Sequence, residues 1–175
     1  LQGVDDATYV DGDNDAIYFT SGTQTVSRTV IGWTKDDGID SGGNGGTGTT
    51  TTLNGNWYEA IFHEGHSLSG VREVSYTGCV FLNCGQGVED GYSGSSSANG
   101  PNAVIDGCLL TANLVGARRG DNYNWDYNGV LEVKNSLLLH NLYHDVWGYD
   151  WADWEYAPAS LMNVHDNRLT QPDAA

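Results

Sequence analysis

Apolar and polar residues alternate along this chain in short bursts. Val71-Arg-Glu-Val-Ser-Tyr, Ala103-Val-Ile-Asp, Val130-Leu-Glu-Val-Lys and Leu161-Met-Asn-Val-His each show the period of two that predicts a half-buried strand. A turn follows, and then a second short run such as Cys79-Val-Phe-Leu, Cys108-Leu-Leu or Ser136-Leu-Leu-Leu. A third kind of segment, rich in Gly and Asp, recurs over residues 12–19, 34–42, 62–70, 84–92, 114–122 and 142–150. Aligned on Ala16, Gly38, Gly65, Gly87, Gly116 and His144, these segments are 22, 27, 22, 29 and 28 residues apart.

Periods in the twenties built from short strands fit leucine-rich repeats or a parallel β-helix, and no leucine framework is present. The expectation is therefore an all-β, right-handed parallel β-helix of about six coils. It forms one domain over residues 1–175, as a fragment of, or a unit in, a longer solenoid, because Leu1 begins inside repeat sequence. The alignment puts Cys79, Cys108 and Ser136 in one column and Cys84, Asn113 and Asn141 in another. Like residues then lie about 4.8 Å apart on neighbouring rungs, as inward ladders. The three cysteines also allow one disulfide with an odd thiol left over. Insertions fall between the turn of one coil and the first strand of the next, along one edge: residues 41–52, 91–102, 120–129 and 148–160.

Composition narrows the partners. Asp and Glu outnumber Lys and Arg by 23 to 7, a formal charge of -16, which repels nucleic acid and anionic membranes. No apolar run approaches the roughly 20 residues that span a bilayer, so membrane insertion is not expected. Such a surface attracts hard cations, Ca²⁺ first among them.

The same stacking gathers chemistry. Asp15, Asp37, Glu64 and Gln86 share a column beside Asn14, Asp36, His63 and Gly85, and further along lie Asp40, Ser67, Glu89 and Arg118. Carboxylates at rung spacing repel unless a cation bridges them or one keeps its proton. One expectation is calcium held by Asp36, Asp37, Asp40, Glu64 and Glu89, with Arg118 or Arg119 over the same groove, as a uronate lyase requires. Another is general acid and base work by Asp15, Asp36, Asp37 and Glu64, tuned by His63 or His66. The alternative for Asp36, Asp37 and Asp40, and for Asp5, Asp6, Asp11 and Asp13, is structural, since Asp at turns caps strands through Asx hydrogen bonds.

Asp13-Asn-Asp-Ala, Lys35-Asp-Asp-Gly-Ile-Asp and His63-Glu-Gly-His-Ser-Leu-Ser-Gly resemble the successive turns of the polygalacturonase type of β-helix glycosidase. The resemblance covers roughly residues 12–70. It implies acid and base roles for Asp15, Asp36 and Asp37, with His66 or His63 in support.

The spacings of His63 and His66, and of His140 and His144, raise zinc or copper as a further cofactor, with Glu64 as a ligand. Arg118 beside Glu89 and Arg119 beside Asp90 can instead form ion pairs from rung to rung. Sugar stacking falls to the aromatic loops, through Tyr123, Trp125, Trp147, Tyr149, Trp151 and Trp154, unless those loops fold as a core of their own. The functional expectation is a secreted or cell-surface protein that acts on a uronate-containing polysaccharide as lyase or hydrolase. The alternative is a non-catalytic, calcium-dependent sugar-binding or fibre module, with end-to-end self-association favoured by uncapped solenoid ends.

Overall fold

The computed structural model describes residues 14–42, 49–68, 72–91, 101–120, 129–150, 155–156 and 162–170. Their strands build a parallel β-solenoid with three walls. The first sheet stacks β1 (Ile17–Tyr18), β4 (Ile39–Ser41), β7 (Glu64–Leu68), β10 (Gln86–Asp90), β13 (Val115–Arg119) and β16 (His144–Asp150). The second stacks β2 (Gln24–Ser27), β5 (Thr49–Asn54), β8 (Arg72–Thr77), β11 (Asn102–Asp106), β14 (Leu131–Lys134) and β18 (Met162–His165). The third stacks β3 (Val30–Gly32), β6 (Trp57–Glu59), β9 (Val80–Leu82), β12 (Leu109–Thr111), β15 (Leu137–Leu139) and β19 (Arg168–Leu169). All these pairs are parallel, and β17 (Glu155–Tyr156) alone runs antiparallel, against the end of β16.

Alternation along the strands sends columns of apolar residues inward from every wall. Ile39, Val88 and Ala117 do so in the first sheet, Leu53, Tyr76, Ile105 and Val133 in the second, and Tyr58, Phe81, Leu110 and Leu138 in the third. All of these are fully out of solvent. Tyr58 stacks on Phe81 with ring centroids 4.4 Å apart, so aromatic contact runs along the solenoid axis from rung to rung.

Two corners of every coil are single left-handed residues. Arg28, Gly55, Gly78, Gly107, Asn135 and Asp166 turn the second sheet into the third, and Trp33, Ala60, Asn83, Ala112 and His140 turn the third into the first. Five residues separate the two corners in each coil from Arg28 to His140. At such a corner the backbone ladder is interrupted, and the next amide needs another acceptor. Column residues on the following rung supply it. Thr29 donates to Asn56 Oδ1, Cys108 to Ser136 Oγ, Ser136 to Asn167 Oδ1, Cys84 to Asn113 Oδ1 and Asn113 to Asn141 Oδ1. The inward ladders expected from sequence are therefore capping ladders. The three cysteines are buried free thiols, and Cys108 Sγ itself faces the Cys79 amide at 3.4 Å.

The last coil corrects the sequence alignment by one residue. Val115 pairs with His144, so Asp145, not His144, follows Gly116 in the column of corner residues. The arc from the left-handed corner to that column is four residues after Ala112 and five after His140.

Candidate functional site

The corner entering the first sheet is narrow. A Cβ on Gly38 would lie 2.7 Å from the Gly65 carbonyl oxygen, and one on Gly65 would lie 2.5 Å from that of Gly87. Glycine is required there because the backbones of adjacent rungs nearly touch. That contact brings the residues just ahead of each glycine together, Asp36-Asp37 on one rung and His63-Glu64 on the next.

Their geometry is tight. His63 Nδ1 lies 2.6 Å from Glu64 Oε2, 3.4 Å from Asp36 Oδ1 and 3.8 Å from Asp37 Oδ1. Asp36, Asp37 and Glu64 are buried, whereas the His63 side chain is 37% exposed and is the group of the four that meets solvent. One oxygen of Asp37 accepts the Glu64 amide at 3.0 Å, and Asp15 accepts the Asp37 amide at 3.1 Å. Both aspartates thus cap the next rung, Asp37 as the structural alternative supposes, while Asp37 also faces His63.

From Glu64 a hydrogen-bonded train runs along the outer wall. Gln86 Nε2 donates to Glu64 Oε1 at 2.5 Å and to Glu89 Oε2 at 2.8 Å. Arg118 Nη1 donates to the same Glu89 oxygen at 3.2 Å, and its guanidinium lies 5.4 Å from the centre of the Trp147 ring. Four carboxylates, Asp36, Asp37, Glu64 and Glu89, thus lie along this wall together with the Arg118 guanidinium and the His63 imidazole. Burial first, and then the charge of Glu64, push the Asp37 carboxyl up to about 11. Burial and Glu89 likewise hold Glu64 well above the ordinary carboxylate range. A proton shared between Asp37 and Glu64, or a bound cation, relieves this repulsion.

Among the described residues, the group placed to hold a metal ion is Asp36, Asp37 and His63, whose ligand atoms all lie within 4.8 Å of one another. The five-carboxylate set expected from sequence does not assemble as one shell. Asp40 stands in the column of Ser67 and Glu89, further along the strands, and Glu89 is engaged by Gln86 and Arg118. The donor set here mixes carboxylate oxygen with imidazole nitrogen.

Two expected outer residues point inward. His66 is fully buried inside the coil, where Nε2 lies 2.8 Å from Ser41 Oγ and Nδ1 lies 2.8 Å from Tyr76 Oη. It therefore does not share a face with His63, and the zinc pairing of those two histidines is not formed. Arg119 is also buried, level with Asp90, and donates from Nε to the Gly129 carbonyl at 3.1 Å. Arg119 thus does not stand over an outer groove. His140 is a corner residue and His144 opens β16, with its ring 5.2 Å from that of Trp147.

Trp147 is partly exposed on the outer wall beside Arg118, its partner in the corrected register. Tyr123, Trp125, Trp151 and Trp154 lie outside the described residues, as does the side chain of Tyr149. Gln86 lies outside the expected acid set yet bridges Glu64 and Glu89, and its place in the Glu64 column is the sequence signal for it. Compared with known proteins, the chain matches no family model, no curated protein and no solved structure.

Proposed function

We propose that this chain is a polysaccharide-active β-helix that cleaves a uronate-containing glycan along the outer wall of its first sheet. The observation that carries this reading is the convergence of Asp36, Asp37 and Glu64 on the imidazole of His63, at the mouth of an otherwise buried acidic cluster. Glycoside hydrolysis needs a carboxylic acid to protonate the leaving oxygen and a carboxylate to activate water. In this proposal Asp37, which shares its proton with Glu64, is the acid and Asp36 the base, while His63 lies against both and Asp15 fixes the Asp37 backbone. The order of the motifs, which resembles that of polygalacturonases, supports the assignment. Trp147 offers an apolar ring for a sugar, and Arg118 orders that ring from behind. Substrates of this kind place the protein outside the cell or at its surface.

A second reading follows from the ligand geometry. Asp36, Asp37 and His63 would hold a divalent ion, and the protein would then bind an anionic glycan through it, with or without cleavage. Calcium favours an all-oxygen shell, so the imidazole weighs toward zinc or another borderline ion.

One experiment separates these readings. The protein is incubated with pectic, alginate-like and neutral glycans, with Ca²⁺, Zn²⁺ or EDTA, while reducing ends and the ultraviolet absorbance of unsaturated product are followed. Reducing ends without absorbance mean hydrolysis, and both together mean a lyase with His63 as the base. Binding without product, abolished by EDTA, supports the metal-dependent module. Activity that survives Asp37→Asn combined with Glu64→Gln rules out this site.

A further inference from the structure

The outer face of the third wall is apolar where it meets solvent. Val30, Trp57, Val80, Leu109 and Leu137 occupy one outward column through five consecutive rungs. Their chain neighbours Ile31, Tyr58, Phe81, Leu110 and Leu138 fill the core, so the outward five are not needed for it. Val30 is 65% exposed, Trp57 41% and Leu137 44%, with Val80 and Leu109 half-buried between them. The second wall shows an outward column of the ordinary kind, since Ser27, Asn54, Thr77, Asp106 and Lys134 are polar on every rung. A position on a strand therefore does not by itself explain the apolar strip. Both long sides of the third wall are bordered by described corners, because the insertions all connect a strand of the first sheet to one of the second.

The dimensions of the strip select its ligand. Four rung steps of about 4.8 Å give a length of about 19 Å, and strands of three residues give a width of about 10 Å. A globular partner or a second copy needs about 800 Å² a side, several times that footprint. An extended peptide is captured along an unpaired strand edge, whereas the strands here are paired with the neighbouring rungs. A linear glycan requires neither, because it lays the apolar faces of its rings on a flat surface and offers hydroxyls at the sides.

Trp57 is prepared for such a ligand. Its indole N–H donates to Glu59 Oε2 at 3.0 Å, so the ring is already fixed and less freedom is lost on binding. The carboxylate of Glu59 has lone pairs to accept sugar hydroxyls as well. On the preceding rung the residue level with Glu59 is Gly32, which carries no side chain, and Trp33 beside it is 57% exposed. Among the strands of this wall the charged residues are Glu59, next to Trp57, and Arg168, at the far end. The charge beside the ring is thus negative, which favours a neutral glycan over a uronate.

We propose that the third wall is a second polysaccharide site, where one linear, neutral glycan lies along the solenoid axis over this column and Glu59 accepts hydrogen bonds from its hydroxyls. The site stands apart from the acidic cluster of the first sheet and does not depend on the function proposed for that cluster.

Electrophoresis of the full chain through native gels containing xylan, mannan or hydroxyethylcellulose, with sedimentation on insoluble cellulose and chitin, tests the proposal. The expected result is retention by at least one of these neutral glycans that persists at high salt. Trp57→Ala and Leu137→Lys should each weaken it by about tenfold or more, with unchanged circular dichroism. Asp37→Asn combined with Glu64→Gln should leave it unchanged, so that a loss of cleavage at the first sheet is read separately. If Trp57→Ala fails to fold, Leu137→Lys, at an exposed position, decides alone. Lack of retention by every neutral glycan overturns the proposal, as does retention that Trp57→Ala leaves intact or that the double variant of the acidic cluster abolishes.

Discussion

At Asp37, burial opposes charge while the backbone still needs the side chain. Its carboxyl accepts the Glu64 amide, so it cannot be exchanged for an apolar group without orphaning a buried donor. In the unfolded chain this acid titrates near 3.8, and in the fold it is pushed up to about 11. The folded state therefore binds the proton more tightly. Its contribution to stability is complete below the unfolded value and is lost as pH rises through the folded one. Asp37→Asn keeps the carbonyl acceptor and removes the titration. It should leave the melting temperature nearly unchanged in the ordinary aspartate range and raise it at mildly alkaline pH, as thermal melts at the two pH values would show. A divalent ion bound at Asp36, Asp37 and His63 should stabilise the wild type most strongly at the same alkaline pH. Gly65 sets a different limit, since a Cβ there meets the Gly87 carbonyl oxygen and the Phe81 ring at 2.5 and 2.7 Å. Gly65→Ala should cost roughly 2–3 kcal/mol in urea unfolding, as overpacked cores do.

At the scale of the element, the corners are where strands meet their stability requirements. Asn113 accepts the Cys84 amide and donates to the Phe81 carbonyl across the interior. Asn113→Ala leaves both buried groups without that partner and should cost about 2–3 kcal/mol, measured by denaturant titration. Ala112 is an exposed residue held at φ 55. Ala112→Gly should stabilise by about 1 kcal/mol, because the left-handed penalty on Cβ disappears. These corners also explain what sequence columns misjudge. Along β7, strict alternation from the outward Glu64 would send His66 outward. The bend at Gly65 resets the alternation, so His66 turns in toward Ser41 and Tyr76. The same inward side takes Asp90 and Arg119. Residue spacing tells which side chains are level with one another, but it does not tell which side of the wall they occupy once the strand has bent.

For the whole molecule, the three walls make a nearly one-dimensional stack in which each rung is stabilised by its two neighbours. Among the described residues, rungs in the middle pair with a neighbour on each side, and the first and last pair on one side. Amide exchange should accordingly be slowest in β8, β9, β11 and β12 and fastest in β2, β18 and β19, and equal rates throughout would contradict this picture.

Much of this architecture was legible in the chain itself. The period of two in the short runs, the glycines 22 to 29 residues apart and the small polar ladders specify a parallel solenoid, because each feature follows from local strand geometry or from backbone crowding at a corner. The same spacing placed Asp37 beside Glu64, and Asp36 beside His63. Only the folded chain decided the rest. It turned His66 and Arg119 inward, separated Asp40 and Glu89 from the ligand group, and shifted the last coil so that Trp147 lies over Arg118. Those outcomes depend on the direction of a side chain after a bend and on the length of an arc between corners. Both are set by packing against the neighbouring rungs, not by the identity of the residue alone.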